Sequence, residues 1–196
     1  SFEKIKQVVD VRKGEIMFGL NMIVHKGRTI FIGDTSVHEY PTSEQMADMA
    51  ISTARVVRLF GFDPKVAFVS HSTFGQPLTS RTKHIKDAVE ILKEKNVNFE
   101  FDGDMQPDVA LNEEYQSLYP FSNIVGKANI LIMPGQHSAA ITYKMMKTLG
   151  DSKVIGPLLI GLGLPIEIAP LRSSTSEILN LASIAAYSAD VIDYNK

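Results

Sequence analysis

The stretch Pro41–Ser70, PTSEQMADMAISTARVVRLFGFDPKVAFVS, decides the fold class of this protein. Thr42 can cap a helix, and Gln45, three residues further on, can complete a capping box. Apolar residues then recur at helical spacing as far as Gly61, which is a typical helix stop. Lys65–Ser70 follows as a short buried strand. A helix that leads into a buried strand is the repeating unit of an α/β sheet.

The same alternation of strands and helices continues on both sides of this stretch. Upstream, Asn21–Val24 and Thr29–Ile32 predict a β-hairpin. Downstream, the pattern predicts a helix through Ile85, Ala88, Val89 and Leu92, followed by a strand at Asn98–Phe101 that Asp102-Gly103-Asp104 ends. It then predicts a strand at Ile130–Met133, a helix at Ile141–Leu149, and two strands at Leu158–Ile160 and Pro165–Ile168. The last predicted helix begins with a Ser174/Glu177 capping box, and its apolar face consists of Ile178, Leu181, Ala182 and Ala185.

The composition excludes several classes of protein. The chain has 196 residues, of which 44% are hydrophobic and 21% charged, and it contains no cysteine. It therefore forms no disulfide, thiolate zinc site or cysteine nucleophile, which favours the cytoplasm. The net charge of −2 argues against nucleic-acid binding. Val154–Leu171 contains Glu167 and three prolines, so we expect no membrane span. The chain begins at Ser1 without a signal peptide and resembles an excised piece.

The familiar cofactor motifs are absent from the sequence, and its five histidines lack the spacing of metal ligands. We therefore predict no metal site. Ser70–Gly75 follows a strand, where α/β sheets hold ligands, although the hydroxyls of such a loop more often satisfy local backbone groups. Asp102, Asp104 and Asp108 could bind a cation, but acidic residues beside glycine and proline are more typical of turns.

Two segments suit an anionic ligand. Met133–Ser138 connects a strand to a helix that carries Lys144 and Lys147, so backbone N–H groups and ammonium groups could meet a phosphate there. The alternative is that these lysines form the solvated face of the helix. Arg172–Ser174 offers further donors at the start of the last helix, although capping alone explains Ser174.

Several strings together resemble the phosphate acetyltransferase family. They are Asp34-Thr35-Ser36-Val37 with Pro41-Thr42, Lys65-Val66-Ala67 leading into Ser70-His71-Ser72, Asp102-Gly103-Asp104-Met105-Gln106, and Met133-Pro134 with Tyr143-Lys144. The segments Ser1–Asp34, Tyr119-Pro120-Phe121 and Val154–Leu164 are similar to the C-terminal phosphotransacetylase-like domain of bacterial hybrid NADP-dependent malic enzymes.

The resemblance implies a three-layer α/β/α sandwich like that of the isocitrate and isopropylmalate dehydrogenases. It implies that residues 29–164 form an inserted α/β lobe, that residues 1–28 are a remnant of a first lobe, and that residues 165–196 return to that first lobe. A homodimer is expected through this domain, with a surface formed by Met46, Met49 and the last helix.

The chain departs from the family where the chemistry takes place. Active members carry an Asn-Asp-Leu-Ser-Arg-Gly string that corresponds to Glu167–Arg172, so Pro170 and Leu171 replace the serine and the arginine. Glu177 stands at the position of a proposed base, and Thr148 at that of a coenzyme-binding arginine. We therefore predict no catalytic residue and an acetyl-CoA site formed by Ser138, Lys144, Lys147, Arg172, Ser173, Ser174 and Glu177.

The expected function is therefore that of a regulatory domain without transacetylase chemistry, which binds acetyl-CoA as an effector of a malic enzyme. No cofactor is expected in this domain, while NADP and a divalent metal are expected in the absent malic-enzyme domain, which converts malate to pyruvate and CO2. Two alternatives stay open. One is an active phosphate acetyltransferase, and the other is a purely structural dimerisation module.

Overall fold

The computed structural model describes residues 2–76 and 79–192. Within them lie six strands and seven helices in chain order: α1 (Phe2–Lys6), β1 (Phe18–His25), β2 (Arg28–Gly33), α2 (Ser43–Leu59), β3 (Lys65–Val69), α3 (Ser80–Glu94), β4 (Glu100–Met105), α4 (Pro107–Leu111), α5 (Glu113–Gln116), β5 (Ile130–Ile132), α6 (Gln136–Leu149), β6 (Lys153–Ile160) and α7 (Thr175–Val191). The three short helices α1, α4 and α5 were not predicted from the sequence.

The strands form one mixed sheet in the order β4-β3-β5-β2-β1-β6. β4, β3, β5 and β2 run parallel, whereas β1 is antiparallel to both of its neighbours. The predicted hairpin is confirmed: β1 and β2 are joined by Lys26 and Gly27, whose φ angles of 47° and 75° suit a two-residue turn. β1 lies within residues 1–28 and pairs with β2, which begins at Arg28 and continues into residues 29–164. The predicted division into lobes stays a prediction.

Helices cover both faces of the sheet, which confirms the three-layer α/β class. On one face, α2 and α3 pack their buried residues against the sheet, and Leu181 of α7 joins the same cluster. On the other face, Val109 and Ala110 of α4 and Ala139 of α6 pack against a second cluster. Parallel strands buried on both faces explain why the strand sequences are apolar runs rather than alternating ones.

The α2 helix forms as its sequence predicts. Thr42 accepts a hydrogen bond from the backbone N–H of Gln45, and the Gln45 side chain accepts one from the N–H of Thr42. The predicted capping box is therefore confirmed. Met46 and Met49 are fully buried in the core. The expectation that they contribute to an exposed dimer surface is wrong, because they are the residues that attach α2 to the sheet.

The prediction that Asp102-Gly103-Asp104 ends a strand is wrong, because these residues lie within β4. Both carboxylates are buried and accept hydrogen bonds from distant segments. Asp102 accepts from the backbone N–H of Asn123 at 2.7 Å, and Asp104 from that of Gly75 at 2.9 Å. These long-range donors allow two acidic residues in a buried strand.

The prediction of two strands at Leu158–Ile160 and Pro165–Ile168 is only half right. β6 is a single eight-residue strand, Lys153–Ile160, and Pro165–Ile168 contributes only an isolated bridge between Glu167 and Leu158. The α6 helix begins at Gln136, five residues earlier than predicted, and its N-cap residue is Gly135. In the described ranges, no helix combines the length and the apolar character that crossing a membrane requires.

Candidate ligand site

A cavity of about 250 Å³ lies between α6, β6 and the start of α7. Five of the seven residues predicted from the sequence to bind a ligand line it. They are Lys144, Lys147, Arg172, Ser173 and Glu177. The fold therefore brings together side chains from two segments that are about 25 residues apart in sequence.

Glu177 is at the centre of the hydrogen bonds in this cavity. Its Oε1 accepts from the Lys147 ammonium at 2.9 Å. Its Oε2 accepts from the Ser174 backbone N–H at 2.8 Å and from the Ser174 hydroxyl at 3.0 Å. The hydrogen bond from Lys147, followed by those from Ser174, lowers the pKa of Glu177 to about 2. Glu177 is therefore ionised at neutral pH and holds Lys147 at the cavity.

Two further cations lie at the same cavity. Lys144 is exposed, and its ammonium lies 5.8 Å from the centre of the Tyr143 ring. Arg172 is exposed and makes no hydrogen bond or ion pair with the described part of the chain. Lys144 and Arg172 are therefore available to an anion without breaking an ion pair, whereas Lys147 must first leave Glu177.

Pro170, Leu171 and Thr148, at which we predict departures from the family's pattern, have different surroundings in the fold. Pro170 lines the cavity, whereas the Leu171 side chain is fully exposed to solvent. Thr148 is exposed in the last turn of α6. Proline has no N–H and leucine carries no charge, so neither can stabilise charge that develops on a transferring group.

Two of the predicted ligand residues, Ser138 and Ser174, do not line this cavity, although Ser174 bonds Glu177 at its edge. Ser138 is in the first turn of α6, nine residues before Lys147, which places it about 14 Å away along the helix axis. It donates a hydrogen bond to the Gly135 carbonyl and lines a different crevice. Ser174 caps α7 and accepts from the N–H of Glu177 at 3.3 Å, which confirms the second capping box. The idea that the α6 N-terminus and the α6 lysines share one phosphate is therefore not supported by this geometry.

The sequence reasoning missed part of the cavity wall. Gly156 and Pro157 of β6 and Asn180 and Leu181 of α7 also line it. A Cβ atom on Gly156 would lie 2.8 Å from the Asn21 side chain and 2.8 Å from the Leu20 carbonyl, so only glycine fits here. The Gly156-Pro157 pair inside an apolar run was the available signal, because such a pair in a strand often marks an irregularity.

A second acidic residue lies just before α7 in very different surroundings. Glu167 borders an apolar pocket between α2, β6 and α7, and it accepts from the Leu159 N–H at 3.2 Å. Burial raises the pKa of Glu167 to about 8, although the Leu159 hydrogen bond opposes that shift. The apolar face predicted for α7 is mostly not buried, because Leu181 is the only described residue of α7 that is buried.

The described residues contain no group of three or more histidine, cysteine or acidic side chains arranged to hold a metal ion. The alternative of a cation site at Asp102, Asp104 and Asp108 gains nothing from the structure. Asp102 and Asp104 bond loop N–H groups, and Asp108 accepts from the N–H of Val109 at 3.0 Å.

Residues 2–186 match the model of the phosphate acetyl/butaryl transferase family. An NADP-dependent malic enzyme of Rhizobium meliloti is 43% identical over 189 residues, which is 96% of this chain and 25% of that enzyme. The chain thus spans about a quarter of the length of the malic enzyme that it matches.

Solved structures show the same relationship. A phosphotransacetylase from Streptococcus pyogenes superposes with a TM-score of 0.91 at 29% identity, covering 96% of this chain and 59% of that one. The 4-hydroxythreonine-4-phosphate dehydrogenase of Klebsiella pneumoniae shares the fold, with a TM-score of 0.60 at 11% identity, over 96% of this chain and 58% of that one. The predicted likeness to both the transacetylases and a dehydrogenase fold is confirmed.

Proposed function

Because this chain belongs to the phosphate acetyl/butaryl transferase family, we propose that it is the phosphate acetyltransferase-like domain of an NADP-dependent malic enzyme. In this proposal it binds acetyl-CoA as an effector and does not transfer the acetyl group. The identity of 43% to a malic enzyme over 96% of this chain, against 35% to a phosphate acetyltransferase of Clostridium acetobutylicum over 82%, supports the first part. NADP and the divalent metal belong to the malic-enzyme part of the protein, outside this chain.

The observation that carries the regulatory role is the composition of the cavity between α6 and α7. Lys144, Lys147 and Arg172 surround it, and Pro170 stands in its wall. Cations bind the phosphates of a coenzyme. Transfer of an acetyl group to phosphate needs a donor aimed at the developing charge, and losing one such donor typically slows a reaction about 10²- to 10³-fold. The cavity therefore suits binding without turnover.

The first experiment measures both activities in an enzyme that contains this chain. We expect malate-dependent NADPH formation that acetyl-CoA inhibits, and no CoA release from acetyl-CoA and phosphate. Transacetylase turnover of about one per second, the low end of ordinary enzymes, would favour the alternative of an active phosphate acetyltransferase.

The second experiment tests the phosphate contacts. Lys144→Ala and Arg172→Ala should each raise the acetyl-CoA concentration for half-inhibition about tenfold, because each removes a charge-assisted contact. The thermal stabilisation by acetyl-CoA should weaken in parallel, since binding and inhibition report one coupling free energy. Lys83→Ala on α3 is the matched control, because Lys83 is exposed and paired with Asp87 far from the cavity. Unchanged inhibition in both variants would refute the proposed contacts.

A structural dimerisation module is the second candidate, and the exposed apolar side chains of α6 and α7 favour it. Ile141, Met145 and Leu149 recur every four residues on α6, and Leu179 on α7 is 65% exposed. Such a surface is typical of a protein interface. We expect a homodimer by light scattering at micromolar concentration, and Met145→Glu should dissociate it. A dimer that acetyl-CoA neither binds nor stabilises would favour this candidate over the effector role.

A further inference from the structure

Two loops that are distant in sequence meet at one crevice. Ser70–Gly75 follows β3, and Met133–Ser138 follows β5 and leads into α6. β3 and β5 are neighbours in the sheet, and a crevice of about 800 Å³ lies at their carboxyl ends. None of these residues lines the cavity between α6 and α7.

The position of the crevice follows from the strand order. From β3 the chain leaves through α3 to β4 at one edge of the sheet, and from β5 it leaves through α6 to β6 at the opposite edge. The two helices lie on opposite faces of the sheet. The two loops therefore diverge, and open α/β sheets bind their ligands in the space that such a divergence leaves.

A buried chain of hydroxyl groups ends at this crevice. Asp104 is 2% exposed and accepts a hydrogen bond from the Ser72 hydroxyl. The Ser72 oxygen lies 3.3 Å from the hydroxyl oxygen of Ser70, which lines the crevice. Since Asp104 takes the Ser72 proton, Ser72 can accept the proton of Ser70. The Ser70 oxygen also accepts from the Ser72 backbone N–H at 3.4 Å, and its second lone pair then serves as the acceptor for a ligand hydroxyl or amine at the crevice.

The opposite wall combines a carboxylate with aromatic rings. Glu39 Oε1 lies 3.2 Å from His137 Nε2, and the Tyr40 ring lies 6.4 Å from the His137 ring between centroids. A Cβ atom on Gly135 would lie 2.6 Å from the Glu39 carbonyl, so glycine lets the Glu39–Tyr40 segment sit directly against the start of α6. This wall is therefore fixed in place by backbone packing.

His84 lines the crevice, but both of its ring nitrogens already have hydrogen-bond partners within the protein. Its Nε2 lies 2.7 Å from the Pro41 carbonyl and its Nδ1 lies 2.9 Å from the Ser43 hydroxyl, so both ring nitrogens are occupied by α2 and the segment before it. Val69, Ile85 and Met133 supply an apolar floor. A ligand here meets an apolar floor, aromatic and proline walls, and acceptors on both sides.

We propose that this crevice binds a hydroxylated ring compound of the nucleoside class. The flat base stacks on the exposed faces of Tyr40 and His137, as aromatic rings favour. The sugar hydroxyls donate to Glu39 and Ser70, since a carboxylate is the usual acceptor for ribose hydroxyls. A volume of about 800 Å³ is adequate for such a ligand. The inference is independent of the acetyl-CoA site.

Adenosine is the probe for the test, used with the full chain. Isothermal titration should show one saturable site for adenosine. Tyr40→Ala and Glu39→Gln should each weaken adenosine binding about tenfold, since each removes one stacking or hydrogen-bonding partner. Both side chains are exposed, so both variants should fold. Ser70→Ala should have a similar effect, and its melting temperature is compared with that of the wild type because Ser70 is buried.

Lys144→Ala separates this proposal from the acetyl-CoA site, and it should leave adenosine binding unchanged. Loss of adenosine binding in Lys144→Ala but not in Tyr40→Ala would place the nucleoside in the other cavity and overturn the proposal. Absence of saturable adenosine binding at millimolar concentration by the folded wild type would overturn it as well. Inorganic phosphate that competes with adenosine would make the crevice an anion site, which also contradicts the proposal.

Discussion

The helices α2 and α7 have the same length and the same start but very different burial. Each has 17 residues and begins with a capping box, Thr42/Gln45 in α2 and Ser174/Glu177 in α7. α2 buries nine residues, whereas Leu181 is the buried residue of α7. A local capping signal therefore fixes where a helix begins, while the burial of that helix depends on what the rest of the chain packs against it.

Truncating a core-facing side chain of α2 should destabilise the protein far more than truncating a side chain of α7. Met46→Ala in α2 should lower the free energy of unfolding by about 2–5 kcal/mol, because it leaves a cavity in the core. Leu179→Ala in α7 should change it by less than about 0.5 kcal/mol, because that side chain is largely exposed in the isolated chain. Urea unfolding measures both values. Equal losses would show that α7 is buried in solution by a partner or a second copy.

The second prediction concerns Glu167, in the pocket between the two helices. Burial raises the pKa of Glu167 to about 8, so the folded state holds a proton that the unfolded state releases above pH 4.5. Stability should therefore fall as the pH rises from about 5 to 8, by on the order of 3 kcal/mol. Glu167→Gln should remove this fall. A variant with the same pH dependence as the wild type would show that Glu167 is ionised in the fold.

The third prediction tests whether the two capping boxes are equivalent despite the different burial. Thr42→Ala and Ser174→Ala should each lower the free energy of unfolding by about 1 kcal/mol, because each removes the acceptor for an N–H in the first helical turn. Thermal unfolding at pH 7 measures both losses. The two substitutions are comparable because Thr42 and Ser174 are both exposed. A much smaller loss at Ser174 would mean that α7 unfolds separately from the sheet.

The two capping boxes differ in charge, because the α7 box contains an ionisable glutamate and the α2 box a neutral glutamine. This difference should give the smallest change in stability. In α7, the Lys147 and Ser174 hydrogen bonds lower the pKa of Glu177 to about 2, so its contribution is present above pH 4.5 and is lost as the pH falls towards 2. Gln45 of α2 does not titrate. The stability difference between the wild type and Glu177→Gln should shrink between pH 5 and pH 2.

Glu44, in the first turn of α2, is the matched control for Glu177. Hydrogen bonds from its own backbone N–H and then from Thr42 lower the pKa of Glu44, but no lysine among the described residues pairs with it. Lys147→Ala should therefore raise the pH at which the Glu177 contribution is lost and should leave that of Glu44 unchanged. Circular dichroism melts across this pH range measure the effect, and an effect of Lys147→Ala on Glu44 would contradict the assignment.

The sequence predicted best where the deciding contacts are local. Both capping boxes join residues three positions apart, so their side chains meet in any helix that starts there. It predicted worst at Asp102–Asp104, because the donors that stabilise these carboxylates inside β4 come from Gly75 and Asn123, far away in the chain.

The candidate site shows the same division. The residue types that suit an anion are visible in the sequence, but the sequence does not show that α6 starts at Gln136 and so contains both Ser138 and Lys147. The helix separates them by about 14 Å, and Ser138 faces the crevice beside β3 instead. The N-cap residue Gly135 makes no side-chain hydrogen bond, so the sequence contains no capping signal that would show where α6 begins.

The α/β class, the starts of α2 and α7 and the family resemblance could all be derived from the sequence alone, and the replacement of a reactive serine and arginine by Pro170 and Leu171 stays a prediction from that resemblance. Only the tertiary structure decided that Lys147 is held by Glu177, that Glu167 is buried, and that the loops after β3 and β5 share one crevice. The reason is physical. Helix caps and apolar periodicity depend on neighbours within a few residues, whereas ion pairs, burial and crevices depend on strand order, which joins segments that are distant in sequence.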